Sequence, residues 1–242
     1  MSFIFTIINA QVFIMSSTFL QRMFYPIVKS RQKPVERTPT YKIVVVLDES
    51  GSMGSIKNDI KKSLNDLIRE QKQVEGKPAT FTLVKFNDRV NRVIQNTPIK
   101  FVRELNEYDY QPNGTTALYD AIGDTIEWFR NEKDVLMVIV TDGMENASKT
   151  FRRQKVMDMI KEKESEYGWN YVYLSNDLKT EEQGDSIGLA CSNYSANCCV
   201  SQSNYGGFLS KNLNNAISNH RRGGASVQRQ LNQEFQKGWS AY

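Results

Sequence analysis

The sequence predicts an α/β fold built on an open, mostly parallel sheet with one antiparallel edge strand and helices on both faces. Three observations predict it. Strand-length apolar runs alternate with stretches of helical periodicity from residue 41 onward. Two runs, Ile43 to Leu47 and Val135 to Val140, are continuous in hydrophobicity, as strands covered on both faces are. Both are followed by loops rich in side-chain oxygens, which a parallel sheet collects on one rim.

The elements follow in order. Tyr41 to Asp48 is the first strand, and Ile56, Ile60, Leu64, Leu67 and Ile68 then share one helical face that ends before Gly76-Lys77-Pro78. Thr80 to Phe86 alternates as a strand, and Asn87-Asp88 turns it into Val90 to Gln95, an antiparallel edge hairpin. A polar connection from Asn96 to Gly114 leads to a helix showing Leu118, Ile122, Ile126 and Phe129 on one side. Val135 to Val140 is the second central strand, and Val156, Met159 and Ile160 mark a helix ending near Gly168. Trp169 to Leu174 is a further strand, Cys198 to Ser201 a last edge strand, and Phe208 to Ile217 a covering helix. Such an order is Rossmann-like, with the oxygen-bearing loops at the topological switch point. Residues 41–220 form the domain, residues 1–40 an apolar then basic extension, and residues 221–242 a polar C-terminal tail.

Composition narrows the function classes. With 242 residues, 24% charged and 40% hydrophobic, the chain is long enough for one sizeable core. Its net charge of +4 resides in the first 40 residues, where Arg22, Lys29, Arg31, Lys33 and Arg37 face only Glu36. The rest is neutral and carries no electrostatic footprint for nucleic acid. Cys191, Cys198 and Cys199 make no zinc-binding spacing; Cys198 and Cys199 read as small buried strand residues, in keeping with a reducing, cytoplasmic compartment. The single histidine, His220, lies near the end of a helix, which argues against a Ser-His-Asp hydrolase. Neither G-x-G-x-x-G nor G-x-x-x-x-G-K-S/T is present to mark a nucleotide site.

Residues 1–21 contain no charge, so a membrane anchor through residues 3–20 is one reading, with the basic residues after it keeping the domain cytoplasmic. Asn9, Gln11 and Ser16-Ser17-Thr18 weigh against it, and initiation at Met15 or Met23 is the competing reading.

The chemistry is concentrated in three segments. IVVVLDESGSM ends a buried-type strand in Asp48, Ser50 and Ser52, with Gly51 letting the backbone bend between the serines. NGTTALYDAI places Thr115 and Thr116 before a helix, and KDVLMVIVTDGMEN ends another apolar run in Thr141, Asp142 and Gly143. Oxygen-only donors of this kind suit a hard divalent cation. Together the Asp48-x-Ser50-x-Ser52 triplet, a threonine five residues before Ala121, and Asp142-Gly143 resemble the metal-ion-dependent adhesion site of von Willebrand factor A (vWA) domains. The wording TFTLVKFND, GTTALYDAIG, TDGMENAS and GWNYVYLSND is similar to small stand-alone vWA proteins of bacteria and their phages.

That resemblance implies Mg²⁺ or Mn²⁺ bound directly by the Ser50 and Ser52 hydroxyls, with Thr116 as the third hydroxyl and Thr115 as its fallback. Asp48 and Asp142 would act directly or through water. A cation held mainly by neutral hydroxyls keeps its attraction for another anionic oxygen, so the implied function is protein binding through a partner's Asp or Glu, not catalysis. The alternatives are a Mg²⁺- or Mn²⁺-dependent hydrolase and a purely structural metal. Among the flanking residues Glu49 reads as solvated, Asn146 and Ser148 as helix-entry caps, and Glu145 as a support behind the ligands; Asp48 and Asp142 also have the ordinary alternative of capping the helices after them.

Overall fold

The computed structural model describes residues 40–175, 178–189, 195–199 and 207–239. Strand β1 (Tyr41–Asp48) leads through a 3₁₀ turn (Gly51–Ile56) into helix α1 (Lys57–Gln73). Strands β2 (Ala79–Phe86) and β3 (Val90–Pro98) form the hairpin, followed by helix α2 (Leu118–Trp128), strand β4 (Val135–Val140), helix α3 (Arg153–Tyr167) and strand β5 (Asn170–Ser175). Helix α4 (Leu178–Ser186), strand β6 (Ser195–Cys199), a π-helical segment (Phe208–Leu213) continuing into α5 (Asn214–Arg221), and α6 (Val227–Trp239) complete it.

The sheet order is β3-β2-β1-β4-β5-β6, with every pairing parallel except β2 with β3. Because β1 has β2 on one side and β4 on the other, the chain reverses its direction of travel across the sheet between β1 and β4. Alternate residues of each central strand feed different cores. Ile43, Val45 and Leu47 pack with Ile60, Leu64 and Leu67 of α1, Leu213 and Ile217 of the π-helix and α5, and Leu231 of α6. Val44 and Val46 pack with Leu118, Ile122 and Ile126 of α2 and Val156 and Ile160 of α3. Full burial on both faces explains the unbroken hydrophobicity of β1 and β4.

Differences from the sequence reading have local causes. Trp169 precedes β5 rather than opening it; it is buried and its indole N–H donates to the Glu132 carbonyl at 2.8 Å. The last strand begins at Ser195 and ends at Cys199, and residues 200–206 lie outside the described residues. Cys191 and the side-chain surroundings of Cys198 and Cys199 lie outside them too, as do residues 1–39 with the anchor reading. The stretch read as a polar tail contains α6, whose Val227 and Leu231 enter the core. Its apolar residues are few, but they recur at a four-residue interval and so share one face. Among the described residues no helix is long and apolar enough to cross a membrane.

At the amino-terminal end of β1 and β2, Arg221 of α5 is buried. Its guanidinium donates to the carbonyls of Lys77 (3.0 Å), Gln71 (2.7 Å) and Val74 (3.4 Å) and to Gln71 Oε1 (2.9 Å). Gly76, at φ 152°, lets the chain pass this latch, since a β-carbon there would stand 2.5 Å from the Arg221 carbonyl oxygen.

Candidate metal centre

Asp48 is the last residue of β1, and Thr141 and Asp142 follow β4, so the β1–β4 pairing brings the two loops side by side at the carboxyl rim. Thr141 Oγ1 donates to Asp48 Oδ2 at 2.7 Å, a contact between residues 93 apart in sequence. The other carboxylate oxygen of Asp48 accepts the Ser50 N–H at 2.7 Å, which folds the D-x-S-x-S loop back on itself. Ser50 Oγ lies 3.1 Å from Ser52 Oγ, and Ser52 Oγ donates to Asp142 Oδ1 at 2.5 Å.

Thr116 completes the group. The position a β-carbon would take at Gly143 lies 2.7 Å from Thr116 Oγ1, 3.3 Å from Asp48 Oδ2 and 3.5 Å from Ser50 Oγ. Oxygens from two loops therefore surround a point beside Gly143 of a third, and only glycine at 143 leaves that point clear. Thr116 is buried whereas Thr115 is exposed, so the geometry favours the former. All five residues singled out in the sequence are thus brought to one place.

Backbone ties hold the loops. Gly51 N–H donates to the Gly114 carbonyl at 3.2 Å, Asn113 N–H to the Glu49 carbonyl at 2.8 Å, and the Tyr110 hydroxyl to the Asp48 carbonyl at 2.7 Å. Glu49 is not solvated as expected: it is buried, pairs with Lys85 Nζ at 2.6 Å and accepts the Gln111 N–H at 2.5 Å. The sheet register places Lys85, the penultimate residue of β2, beside that loop.

The segment after Asp142 also departs from expectation. Asn146 and Ser148 do not open α3, whose N-cap is Arg152; they serve the start of α2 instead. Asn146 Oδ1 accepts the Thr116 N–H at 3.0 Å, and Ser148 Oγ accepts the Asp120 N–H at 3.0 Å. Glu145 accepts the Tyr119 N–H at 2.9 Å as well as the amides of Ala147 and Ser148. The free amides at the α2 N-terminus are therefore satisfied by a different loop. Gln183 of α4 steadies that loop, accepting the Glu145 N–H at 2.6 Å and donating to the Gly143 carbonyl at 3.4 Å. Neither Gln183 nor Tyr110 carries a sequence signal, because each reaches the site by side-chain hydrogen bonds from an element distant in sequence.

Burial pushes the Asp48 carboxyl up to about 6, and the charge of Asp142 adds to this; hydrogen bonds from Thr141 and Ser50 oppose it. Two carboxylates and three hydroxyls thus crowd together, and the neighbouring lysines are engaged elsewhere, Lys85 with Glu49 and Lys57 Nζ with Gln111 Oε1 at 2.8 Å. Among the described residues no group of three or more His, Cys, Asp or Glu gathers around a point. The donor set here is instead hydroxyl-rich, which fits a hard cation better than zinc.

The family model for the von Willebrand factor type A domain matches residues 42–168, a span containing all five residues. The chain belongs to this family. A comparison with curated proteins returns no match. Among solved structures the vWA fold is shared with the PilB minor pilin from Streptococcus sanguinis, at 12% identity over 79% of this chain and 64% of that one, TM-score 0.57. A second is the pilus adhesin SpaC from Lactobacillus rhamnosus GG in its open conformation, at 13% identity over 77% of this chain and 31% of that one, TM-score 0.55. The ArnB paralog VWA2 from Sulfolobus acidocaldarius is a weaker match, at 16% identity over 70% of this chain and 44% of that one, TM-score 0.47. This chain spans less than two thirds of the length of each, and the likeness to the first two is one of fold.

Proposed function

We propose that this vWA domain is a metal-dependent protein-binding module in which Mg²⁺ or Mn²⁺, held by Ser50, Ser52 and Thr116 with Asp48 and Asp142, captures an acidic side chain of a partner. One observation carries the reading: oxygens of Asp48, Ser50 and Thr116, drawn from two loops, lie within 3.5 Å of the point kept open by Gly143 of a third. Ser52 is exposed, so the cluster reaches the surface instead of being sealed in the core. A cation bound there through mostly neutral donors retains positive charge toward solvent, and an incoming carboxylate is its natural further ligand. The module performs no catalysis in this reading. Lys57 and Lys85, the amines nearest the first motif in the sequence and the register, are held by Gln111 and Glu49 and are not directed to act on a substrate.

The test is metal-dependent capture. Isothermal titration of the purified chain with Mn²⁺ should give one site, and pull-down with Mg²⁺ should recover partners that EDTA releases. Equal recovery in EDTA, or from an Asp48→Ala/Ser50→Ala variant, would refute the module. Turnover of phosphate esters with Mn²⁺ that Asp142→Ala abolishes would instead make the site hydrolytic.

A further inference from the structure

We infer that Asn146 is a positioning residue that sets the Thr116 hydroxyl at the metal centre and thereby links it to the loop carrying Asp142. Both backbone polar groups of Thr116 are held by the same short segment: Asn146 Oδ1 accepts its N–H at 3.0 Å, while the N–H groups of Asn146 and Ala147 donate to its carbonyl at 3.0 and 3.2 Å. A residue gripped on both sides of its Cα has its Cα–Cβ direction fixed, which leaves its hydroxyl only a choice among the staggered χ1 rotamers. Asn146 itself is exposed, so it is not retained to fill the core. Asp142 lies four residues earlier on the same loop, and Gln183 anchors the residues between through Gly143 and Glu145. The Asp142 loop therefore carries one oxygen of the site and the clasp for another, and the two cannot shift independently. Partners of ligands that set ligand orientation in this way typically govern affinity by about 10–100-fold when removed.

This rests on the metal reading above, and the experiment separates the two. Mn²⁺ affinity is measured by titration calorimetry on the full chain for wild type, Asn146→Ala, Asn146→Asp, Thr116→Ala, Asp142→Ala and Thr116→Ala/Asn146→Ala, with melting temperatures in EDTA. The expected result is a loss of about tenfold in Asn146→Ala, near-wild-type affinity in Asn146→Asp, which keeps the acceptor oxygen, and no further loss when Asn146→Ala is added to Thr116→Ala. Wild-type affinity in Asn146→Ala, or an equal loss with and without Thr116, overturns the positioning role while leaving the metal site standing. Unchanged Mn²⁺ affinity in Thr116→Ala together with Asp142→Ala overturns the metal reading and this inference with it.

Discussion

The two ends of the β1 strand make opposite uses of buried polarity. At the amino-terminal rim, Arg221 supplies a cation whose donors are matched to the carbonyls of Gln71, Val74 and Lys77 and to the Gln71 side chain. At the carboxyl rim, Asp48, Ser50, Ser52, Thr116 and Asp142 collect acceptor oxygens, and the nearby lysine Lys85 is turned to Glu49. A network in which the donors of a buried cation are matched by neutral acceptors ties the fold together. One that gathers acceptor oxygens at an exposed rim is the arrangement on which the proposed metal site rests.

Four measurements sharpen or break that contrast. The largest effect is expected at the carboxyl rim, where Asp48→Ala/Ser50→Ala should weaken Mn²⁺ binding beyond the roughly 10–100-fold typical of outer partners, with calorimetry as the readout; a loss under tenfold would dissolve the distinction between the rims. Arg221→Ala should act in the other way, leaving metal affinity alone while lowering stability by on the order of 3 kcal/mol through carbonyls left unpaired. Thermal unfolding would show this as a fall of roughly 10 °C.

The third concerns pH. Because the folded-state value of Asp48 lies above the 3.8 of an ordinary aspartate, at about 6, the metal-free native state binds that proton more tightly than the unfolded chain. Its contribution is fully present below about pH 4 and is lost as pH rises through about 6, on the order of 3 kcal/mol in total. Asp48→Asn in EDTA should remove this slope from the melting temperature profile. Saturating Mg²⁺ should remove it too, since the cation favours the ionised carboxylate. Gly143→Ala should give the smallest effect, about tenfold in Mn²⁺ affinity, as its methyl displaces the Thr116 hydroxyl that lies 2.7 Å away; no change would mean that Thr116 takes no part.

Much of this was legible in the chain. Asp48-x-Ser50-x-Ser52 and Asp142-Gly143 announce themselves because a ligand loop must follow directly on a buried strand, and both signals lie within a dozen residues. The edge hairpin was equally readable from Asn87-Asp88 between two strand-like runs. Glu49 was misread, because only the β1–β2 register brings Lys85 to it. Asn146 and Ser148 were misread for a related reason: their capping chemistry was recognised, but the helix they cap precedes them by about 30 residues. Helix α6 was missed since its core contribution rests on Val227 and Leu231 in a polar stretch.

Sequence by itself determined the layered α/β architecture and the oxygen chemistry of the rim, because hydrophobic period and loop composition are local properties. Tertiary structure alone decided which acid is neutralised and which asparagine clasps which loop, and it buries Thr116, the threonine preferred from the sequence, while leaving Thr115 exposed. Those choices depend on loops made neighbours by the order and register of strands, and no spacing along the chain encodes a contact that only the folded sheet creates.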